Sequence, residues 1–349
     1  MAILKLLMSV INSAIQKCIG LIVRFINVLL LSLNFIIVKK ENCICKKLVD
    51  VYTTPHKTNN EHPAECIIFS MDRAIQLHAL LSSYFEKVTP SVPVHVLYRA
   101  SSNPHQKAYD SVFSLFDEKQ IFPVSQKDKG SFKKQLITIL ESIKAEKVFF
   151  LVDDIIFIED MDVFDFAKFD PRTTIISLRL GANLKRAYTL QKEQQLPPFI
   201  SDIIQDSDKL CWKWEDGELD WAYPLSVDGN LFLTREIIAL AKSINFNSPN
   251  TFESNLQKQL RYFKHRYGVC YKKSKIINIP MNKVQDTNDN IHGTIHQDYL
   301  LNQWNHGMQI DYRALYGFVN ESAHQEIDIT FTKRNDLDSI KEVEQFERF

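Results

Sequence analysis

The sequence predicts an α/β fold, with a mostly parallel sheet flanked by helices and an N-terminal amphipathic or membrane helix. Short apolar runs alternate with segments of helical periodicity between residues 64 and 152. Strands that alternate with helices form parallel sheets that are covered on both faces. The chain has 349 residues, 45% of them hydrophobic, so it can bury a substantial core. Residues 1–40 form a long apolar run whose charged residues are all basic.

Seven elements are predicted in order along the first half of the globular region. The first is a buried strand from Cys66 to Phe69, and the turn after it leads into an amphipathic helix over 74–88. The others, in chain order, are a strand at 93–100, a helix at 105–116, a short strand near 121–124, a helix opened by Ser131, and a strand that ends at Asp153 and Asp154.

The N-terminal segment, residues 1–40, predicts an association with a membrane. Its polar side chains recur every three or four positions, which is typical of an anchor that lies in the plane of an anionic membrane. A spanning helix is the alternative, although Arg24 within the bilayer would cost about 2.5 to 3.5 kcal/mol. A helix that packs on the protein itself is a third possibility. If the segment spans, the basic residues after it place the next domain on the cytoplasmic face.

Composition divides the rest of the chain into three parts. Residues 41–63 are rich in Thr, Asn and Pro and are interpreted as a linker, 64–330 as one globular domain, and 331–349 as a C-terminal tail. Six cysteines make no disulfide framework. They are expected to be reduced thiols of a cytosolic compartment.

Charge and glycine content exclude several classes of protein. The 42 basic and 42 acidic residues balance, so no nucleic-acid partner is expected. The nine glycines form neither GxGxxG nor GxxxxGK[ST], which disfavours dehydrogenase-type and P-loop nucleotide binding. A phosphate ligand would then be held in another way, and a metal ion is suited to that task.

Two adjacent carboxylates, Asp153 and Asp154, follow the apolar strand FFLV. In open α/β sheets the ligand crevice lies at the carboxyl ends of strands. Two carboxylates repel each other there unless a cation offsets them, and Mg²⁺ or Mn²⁺ held by one or two carboxylates and substrate phosphates meets that demand. In the alternative interpretation, backbone N–H groups satisfy Asp153 while Asp154 caps a turn.

Several ordered motifs resemble the GT-A (Rossmann-like) fold of nucleotide-sugar glycosyltransferases, and in particular a bacterial glycosyltransferase-like family of surface-polysaccharide proteins. The likeness covers roughly residues 64–330. The motifs that carry it are FSMDR at 69–73, SFKKQL at 131–136, FFLVDD at 149–154, VDGNLF at 227–232, NSPNTFE at 247–253 and IPMNKVQDTNDNIHG at 279–293.

The resemblance implies a sugar nucleotide across the carboxyl edge of the sheet, with a divalent ion between its diphosphate and the acidic motif. Such enzymes usually show DxD, whereas here the third position is Ile155, which cannot ligate. The resemblance also implies donor-binding residues. These are Ser70, Asp72, Arg73, Phe132, Lys133, Asp153 and Asp154. The alternatives are a helix cap by Ser70 or Asp72 with a solvated arginine, and a solvated lysine.

The acceptor side is expected in the second half of the chain. Aromatic rings beside carboxylates commonly bind sugars, although core packing explains tryptophans equally well. An Asx turn is the alternative for the Asp228 loop. The predicted acceptor-binding residues are Trp212, Trp214, Trp221, Asn230, Asn282 and Gln285.

Glu253 and Asp228 are the predicted catalytic residues. A carboxylate within hydrogen-bond reach of the acceptor hydroxyl can remove its proton, and the resemblance places such an acid at Glu253. A capping box from Asn250 to Glu253 is the alternative. The resemblance also makes His292 a possible third metal ligand beside Asp153 and Asp154.

The sequence and the resemblance together predict a glycosyltransferase at the cytoplasmic face of a membrane, and the resemblance implies that this is the bacterial inner membrane. It would move a sugar from a nucleotide donor to a surface glycan or a lipid-linked acceptor. Two rivals are a sugar nucleotidyltransferase, which usually needs a glycine-rich loop that FSMDRA lacks, and a non-catalytic membrane-bound scaffold of the same fold.

Overall fold

A computed structural model describes residues 44–54, 62–128, 130–204, 206–282 and 295–334. Its central sheet has five strands, β1 Glu65–Met71, β3 Val94–Arg99, β4 Ile121–Ser125, β5 Lys147–Val152 and β12 Leu231–Leu233. Their order across the sheet is β12-β5-β1-β3-β4. The edge strand β12 is antiparallel to β5, and the other three pairings are parallel. The predicted mixed α/β fold with a parallel-dominated sheet is confirmed.

The apolar strands form the middle of this sheet because they are covered on both faces. In β1 only the last residue, Met71, is not fully buried, and β5 buries the four residues from Val148 to Leu151. The sequences of parallel strands that are covered on both faces are expected to be continuously hydrophobic. All seven elements predicted for this half of the chain are present, with ends that differ by a few residues.

Helices connect the parallel strands and cover the sheet. The helix after β1 begins at Ala74 and buries most of its residues, whereas the later helices bury one stripe. The helices are α1 Ile44–Thr53, α2 Ala74–Lys87, α3 Asn103–Phe113, α4 Phe132–Ser142, α5 Val163–Ala167, α6 Thr234–Ser243, α7 Pro249–Gln257 and α8 Gln297–Asn305.

A second sheet in the second half of the chain has three strands, β8 Thr174–Ser177, β11 Lys209–Lys213 and β13 Tyr267–Tyr271. Their order across the sheet is β11-β13-β8. The remaining strands form two-stranded pairs: β2 Val88–Thr89 with β7 Met161–Asp162, β6 Ile155–Phe157 with β14 Ile276–Asn278, β9 Arg186–Ala187 with β10 Lys192–Glu193, and β15 Met308–Ile310 with β16 Phe331–Lys333.

Contacts divide the chain into two units, Met1–Asp50 and Val51–Phe349. The segment interpreted as a linker, 41–63, contains the helix Ile44–Thr53. The predicted membrane helix at 1–40 lies outside the described residues, as does most of the tail at 331–349. Within the described ranges, no helix combines the length and the apolar character needed to cross a membrane.

Candidate active site

Asp153 lies directly after β5, at the carboxyl edge of the central sheet, and is almost fully buried. Its Oδ2 accepts hydrogen bonds from Ser70 Oγ at 2.8 Å and from the Met71 backbone N–H at 3.1 Å. Its Oδ1 accepts a third from Arg73 Nη1 at 3.0 Å. Asp153 therefore ties the end of β5 to the turn after β1, and both of its oxygens are engaged by protein donors.

Asp154 shares the same guanidinium but is less well satisfied. Its Oδ2 lies 3.3 Å from Arg73 Nη1, whereas its buried Oδ1 has no hydrogen-bond partner among the described residues. Burial is the main cause that raises the pKa of Asp154 to about 6. The charges of Asp153 and Asp228 add to that effect, and Arg73 opposes it. A carboxyl group with a free buried oxygen is thus held at the edge of the sheet.

Arg73 stands between the two carboxylates and is itself mostly buried. Its Nη2 donates to the backbone carbonyl of Asn282, and its own backbone N–H donates to the Tyr109 hydroxyl at 3.1 Å. Burial opposes ionisation of the guanidinium, but Asp153 and Asp154 outweigh it and raise the pKa of Arg73. The alternative of a solvated arginine is therefore wrong.

Two more of the predicted donor-binding residues, Ser70 and Asp72, shape the turn before Arg73. Ser70 Oγ lies 2.6 Å from the Tyr109 hydroxyl as well as contacting Asp153. Asp72 has a positive φ of 54°, and its carboxylate accepts from the Ser101 backbone N–H at 2.7 Å. Neither side chain caps helix α2, whose N-cap residue is Arg73. Both residues hold the turn in place and thereby position Arg73.

The loop VDGN brings Asp228 to the same edge of the sheet. The Gly229 N–H donates to the Phe150 carbonyl at 2.8 Å, and the Leu178 N–H donates to the Gly229 carbonyl at 3.0 Å. Gly229 has φ 79°, and an added Cβ would lie 2.7 Å from Ile276 Cδ1. Only glycine therefore fits between the two sheets at this point.

Asp228 is paired with His324, a residue that no sequence motif indicated. The two side chains are 3.5 Å apart, between Asp228 Oδ2 and His324 Nε2. Burial raises the pKa of Asp228, but His324 and Arg179 outweigh it, so the net pKa lies below the ordinary value. The same pairing raises the pKa of His324 against the effect of burial. Each side chain of the pair therefore favours the ionised form of the other.

Glu253 faces this loop from helix α7. Its Oε1 accepts from Ser226 Oγ and from the Val227 backbone N–H, both at 3.0 Å. Burial is the main cause that raises the pKa of Glu253 to about 7, and the charge of Asp228 adds to it. A carboxyl group with that pKa is suited to general acid–base work near neutral pH.

The capping-box alternative for Glu253 is wrong. Helix α7 is capped two residues earlier than the motif suggests, by Ser248, whose side chain accepts from the Thr251 backbone N–H. Thr251 in turn completes the capping box, and Pro249 occupies the first turn, where its missing N–H costs nothing. Glu253 is therefore left free to turn its side chain toward Ser226.

Arg179 is a second buried cation that the sequence did not indicate. Its Nη1 lies 3.2 Å from Asp220 Oδ1, while its Nε and Nη2 have no hydrogen-bond partner in the part of the chain that the structure describes. Burial opposes its charge, but Asp220, Asp228 and Glu253 outweigh that effect and raise its pKa. The positive charge of Arg179 thus offsets the negative charges of the acids near Glu253. Arg73 has the same effect on the acids near Asp154.

The three tryptophans predicted to bind the acceptor form a buried cluster instead. The Trp212 ring centroid lies 4.8 Å from that of Trp214 and 4.9 Å from that of Trp221. The Trp212 indole N–H donates to the Trp221 carbonyl at 3.1 Å. Gly268 packs so closely on Trp212 that an added Cβ would lie 2.3 Å from its ring. Their ring faces are used in packing, so the acceptor-binding prediction for these residues is corrected.

Phe132 and Lys133 also have structural roles rather than the predicted donor contacts. Phe132 is buried beside Phe69 and Phe246, with ring centroids at 5.5 and 6.0 Å. Lys133 Nζ donates to the Ile244 carbonyl at 2.6 Å. Both side chains are therefore engaged with the core and with the end of helix α6.

Of the amides predicted on the acceptor side, two are described. Asn282 is buried beside Arg73, and neither polar atom of its side chain has a described partner. Asn230 is fully buried and donates to the Pro224 carbonyl at 2.9 Å, so it holds the Asp228 loop. Gln285 and the possible metal ligand His292 lie outside the described residues.

The described residues do not fit a resident divalent ion. Both oxygens of Asp153 accept hydrogen bonds from the protein, and Ile155 is buried in the core. Only Asp154 offers a free carboxylate oxygen at the acidic motif. Among the residues that the structure describes, no group of three His, Cys, Asp or Glu side chains is arranged to hold a metal. The predicted metal site at Asp153 and Asp154 is therefore not formed by these residues alone.

No protein-family model and no curated protein matches this chain. Similar solved structures include 4-diphosphocytidyl-2C-methyl-D-erythritol synthase of Anaerococcus prevotii, with 12% identity and a TM-score of 0.37 over 70% of this chain and 96% of that one. S. aureus TarS, residues 1–349, matches with 11% identity and a TM-score of 0.39 over 62% of this chain and 60% of that one.

A complex of the same part of TarS with UDP matches with 12% identity and a TM-score of 0.36, over 59% of this chain and 57% of that one. The chain thus spans less than two thirds of TarS 1–349. These neighbours are GT-A-like. Because fold does not determine activity, the function has to follow from the site itself.

Proposed function

We propose that the protein is a glycosyltransferase that moves a sugar from a nucleotide-sugar donor to a hydroxyl group of a surface glycan or lipid-linked acceptor. The observation that carries the proposal is Glu253, a half-buried residue beside the Asp228 loop whose carboxylate accepts from Ser226 and Val227 and whose pKa is raised to about 7. It lies close enough to Asp228 for the two charges to interact. Carboxyl groups with perturbed pKa values at the carboxyl edge of an open α/β sheet are the expected acid–base residues of an active site.

The proposed donor side is the Arg73 edge. There the guanidinium meets Asp153 and Asp154 at the ends of neighbouring strands. An arginine that is held in one orientation is suited to a phosphate group, because its planar donors match phosphate oxygens. The nucleotide diphosphate would therefore lie along the turn after β1, with the sugar directed toward Asp228 and Glu253.

The proposed chemical step is attack by an acceptor hydroxyl oxygen on the anomeric carbon. A new glycosidic C–O bond forms as the bond between that carbon and the diphosphate oxygen breaks, and the electron pair leaves on the diphosphate. In an inverting reaction the hydroxyl proton passes to Glu253. Ser226 and Val227 both donate hydrogen bonds to Oε1 of the Glu253 carboxylate. The other carboxylate oxygen, Oε2, is left to accept the proton.

Asp228 is proposed to tune this base rather than to receive the proton. His324 and Arg179 keep the pKa of Asp228 low, so Asp228 stays ionised. Its negative charge then helps to raise the pKa of Glu253. A base whose pKa is close to the working pH combines a useful ionised fraction with enough basicity to accept a proton.

The experiment that tests the function is a transfer assay with the full-length protein. It would be incubated with UDP-, GDP-, dTDP- and CMP-linked sugars in the presence of bacterial lipid extract, and released nucleotide and extended lipid would both be measured. Extension of the lipid from one donor class is the expected result. In a parallel reaction with added pyrophosphate and no lipid, formation of a nucleoside triphosphate from the nucleotide sugar would identify a nucleotidyltransferase, and a folded protein that binds no nucleotide would be the scaffold.

We also propose that residues 1–40 hold the enzyme at the cytoplasmic face of a membrane, where a lipid-linked acceptor is confined. Vesicles of phosphatidylglycerol and phosphatidylethanolamine are expected to sediment the full-length protein, and vesicles of phosphatidylcholine alone to do so much less. Each basic residue at an anionic surface contributes about 1 kcal/mol. Changing Lys5, Lys17 and Arg24 to Gln should therefore weaken binding about a hundredfold, and unchanged binding would contradict an in-plane anchor.

A further inference from the structure

We propose that the nucleoside diphosphate binds at Arg73 without a divalent ion, with the guanidinium as the cation that receives its phosphates. This inference rests on the proposed function, since it concerns the donor site of the same reaction. It differs from the expectation of a metal-bridged donor, and it concerns a basic residue that stands next to both acids of the motif.

The first step in the argument is the place that Arg73 occupies. Its Nη1 contacts Asp153 Oδ1 at 3.0 Å and Asp154 Oδ2 at 3.3 Å. A position within hydrogen-bond distance of two adjacent carboxylates is where a divalent ion would bridge them. Here a side-chain cation already takes that position, and it offsets the repulsion between the two acids.

The second step is the shortage of ligands for a metal. Asp153 accepts three hydrogen bonds from Ser70, Met71 and Arg73, so binding an ion would require the loss of at least one of them. Ile155 is buried and pairs in register with Asn278. One carboxylate oxygen, Asp154 Oδ1, is left for a metal at this motif.

The third step is the set of donors that remains for an anion. Arg73 Nε is buried and has no described hydrogen-bond partner. Asn282 binds Arg73 through its backbone carbonyl, and its buried side-chain N–H₂ group also lacks a described partner. Buried donors are nearly always satisfied in native proteins. Two unsatisfied donors on contacting residues therefore indicate a ligand that is rich in acceptor oxygens.

Helix α2 adds to this positive potential. It is 14 residues long and begins at Ala74, directly after Arg73, with no side chain hydrogen-bonded as a cap. The first N–H groups of a helix have no partner within the helix, and its N-terminal end carries a partial positive charge. A phosphate group beside Arg73 would thus also meet the uncapped end of this helix.

The test is calorimetric titration of the full-length protein with UDP, GDP, CMP and dTDP, in EDTA and in manganese. One nucleotide is expected to bind in EDTA with an affinity that manganese changes by less than about threefold. Arg73→Lys keeps the charge but loses the planar fork, and it should weaken binding about tenfold. Thermal unfolding of this variant would show that it is folded.

Asp154→Asn is the second variant, because it neutralises the one carboxylate of the motif that has an oxygen without a described partner, and it leaves Arg73 in place. Without a metal, the loss of one negative charge near the diphosphate should tighten binding about threefold or more. A metal-dependent site would instead lose its binding. The two modes of binding therefore predict opposite changes for the same substitution.

The outcomes separate this inference from the proposed function. Binding that needs manganese and disappears in Asp154→Asn would overturn the role of Arg73 and leave the glycosyltransferase proposal standing. Binding in EDTA that Arg73→Lys does not weaken would also overturn the inference. The absence of binding for all four nucleotides by the folded wild-type protein would overturn both.

Discussion

Replacing Glu253 by glutamine is expected to lower the rate of sugar transfer by about 10²- to 10⁴-fold, the usual contribution of a general base. The amide keeps the shape of the side chain and can still accept from Ser226 and Val227, which hold the carboxylate at 3.0 Å. The effect should fall on kcat, while the affinity for the nucleotide remains close to that of the wild type.

The pH dependence of the wild-type enzyme gives a second readout of the same residue. Burial raises the pKa of Glu253 to about 7, and only the ionised form can accept a proton. The rate should therefore rise with pH up to about 7 and level off above it. Asp228→Asn removes a nearby negative charge, so it should move this rise to lower pH.

Glu193→Gln is the matched control, because Glu193 is an exposed glutamate on the short strand Lys192–Glu193. It should leave both the rate and its pH profile unchanged. If Glu253→Gln retained full activity, another group would be the base. If it lost nucleotide binding together with activity, the role of Glu253 would be structural.

The site residues that directly follow a strand of the central sheet could be predicted from the sequence. Asp153 and Asp154 follow an apolar strand, and a carboxylate in that position lies at the carboxyl edge of a parallel sheet. Arg73 follows the neighbouring strand β1 and therefore reaches the same edge. The regular alternation of strands and helices is enough to bring these three residues together.

The residues that the sequence missed reach the site through long-range pairing. Arg179 comes two residues after β8, which belongs to the second sheet. His324 arrives because the backbone at 324 pairs with Asn278. Neither residue stands in a motif, and a lone histidine in a loop is rarely assigned a function from sequence. Their contacts depend on how two sheets pack, which no local pattern encodes.

The prediction that the tryptophans bind the acceptor failed for a different reason. An aromatic residue among acids is as compatible with a core as with a sugar-binding surface. The choice depends on what packs against the ring. For Trp212 it is the backbone of Gly268, a residue 56 positions away in the paired strand β13. Sequence composition alone does not contain that contact.

Asp153 and Asp154 are adjacent in sequence, yet their neutralisation is expected to change stability in opposite directions. Asp153→Asn replaces the charged partner of the buried Arg73 by a neutral one. It also disturbs the hydrogen bonds that Ser70 and the Met71 N–H donate to the Asp153 carboxylate. Breaking a buried ion pair by removing one partner typically costs about 3 to 5 kcal/mol. The free energy of unfolding of Asp153→Asn should fall by about that amount at pH 8.

Asp154→Asn should instead stabilise the protein at pH 8. The pKa of Asp154 is raised to about 6 in the folded state, from an ordinary value of 3.8. The folded state therefore binds the proton more tightly, and the free energy of unfolding falls as pH rises between about 4 and 6. Above that window, the ionised carboxylate destabilises the fold by about 2 to 3 kcal/mol. Asparagine removes this penalty.

Urea unfolding of the full-length wild-type protein and both variants, from pH 4 to pH 8, measures the difference. The gain from Asp154→Asn should grow as pH rises to about 6, remain constant up to pH 8, and vanish near pH 4, where the wild-type side chain is also neutral. Equal losses from the two substitutions at pH 8 would mean that Arg73 holds both carboxylates alike. Asp154 would then not be the group left free for a ligand.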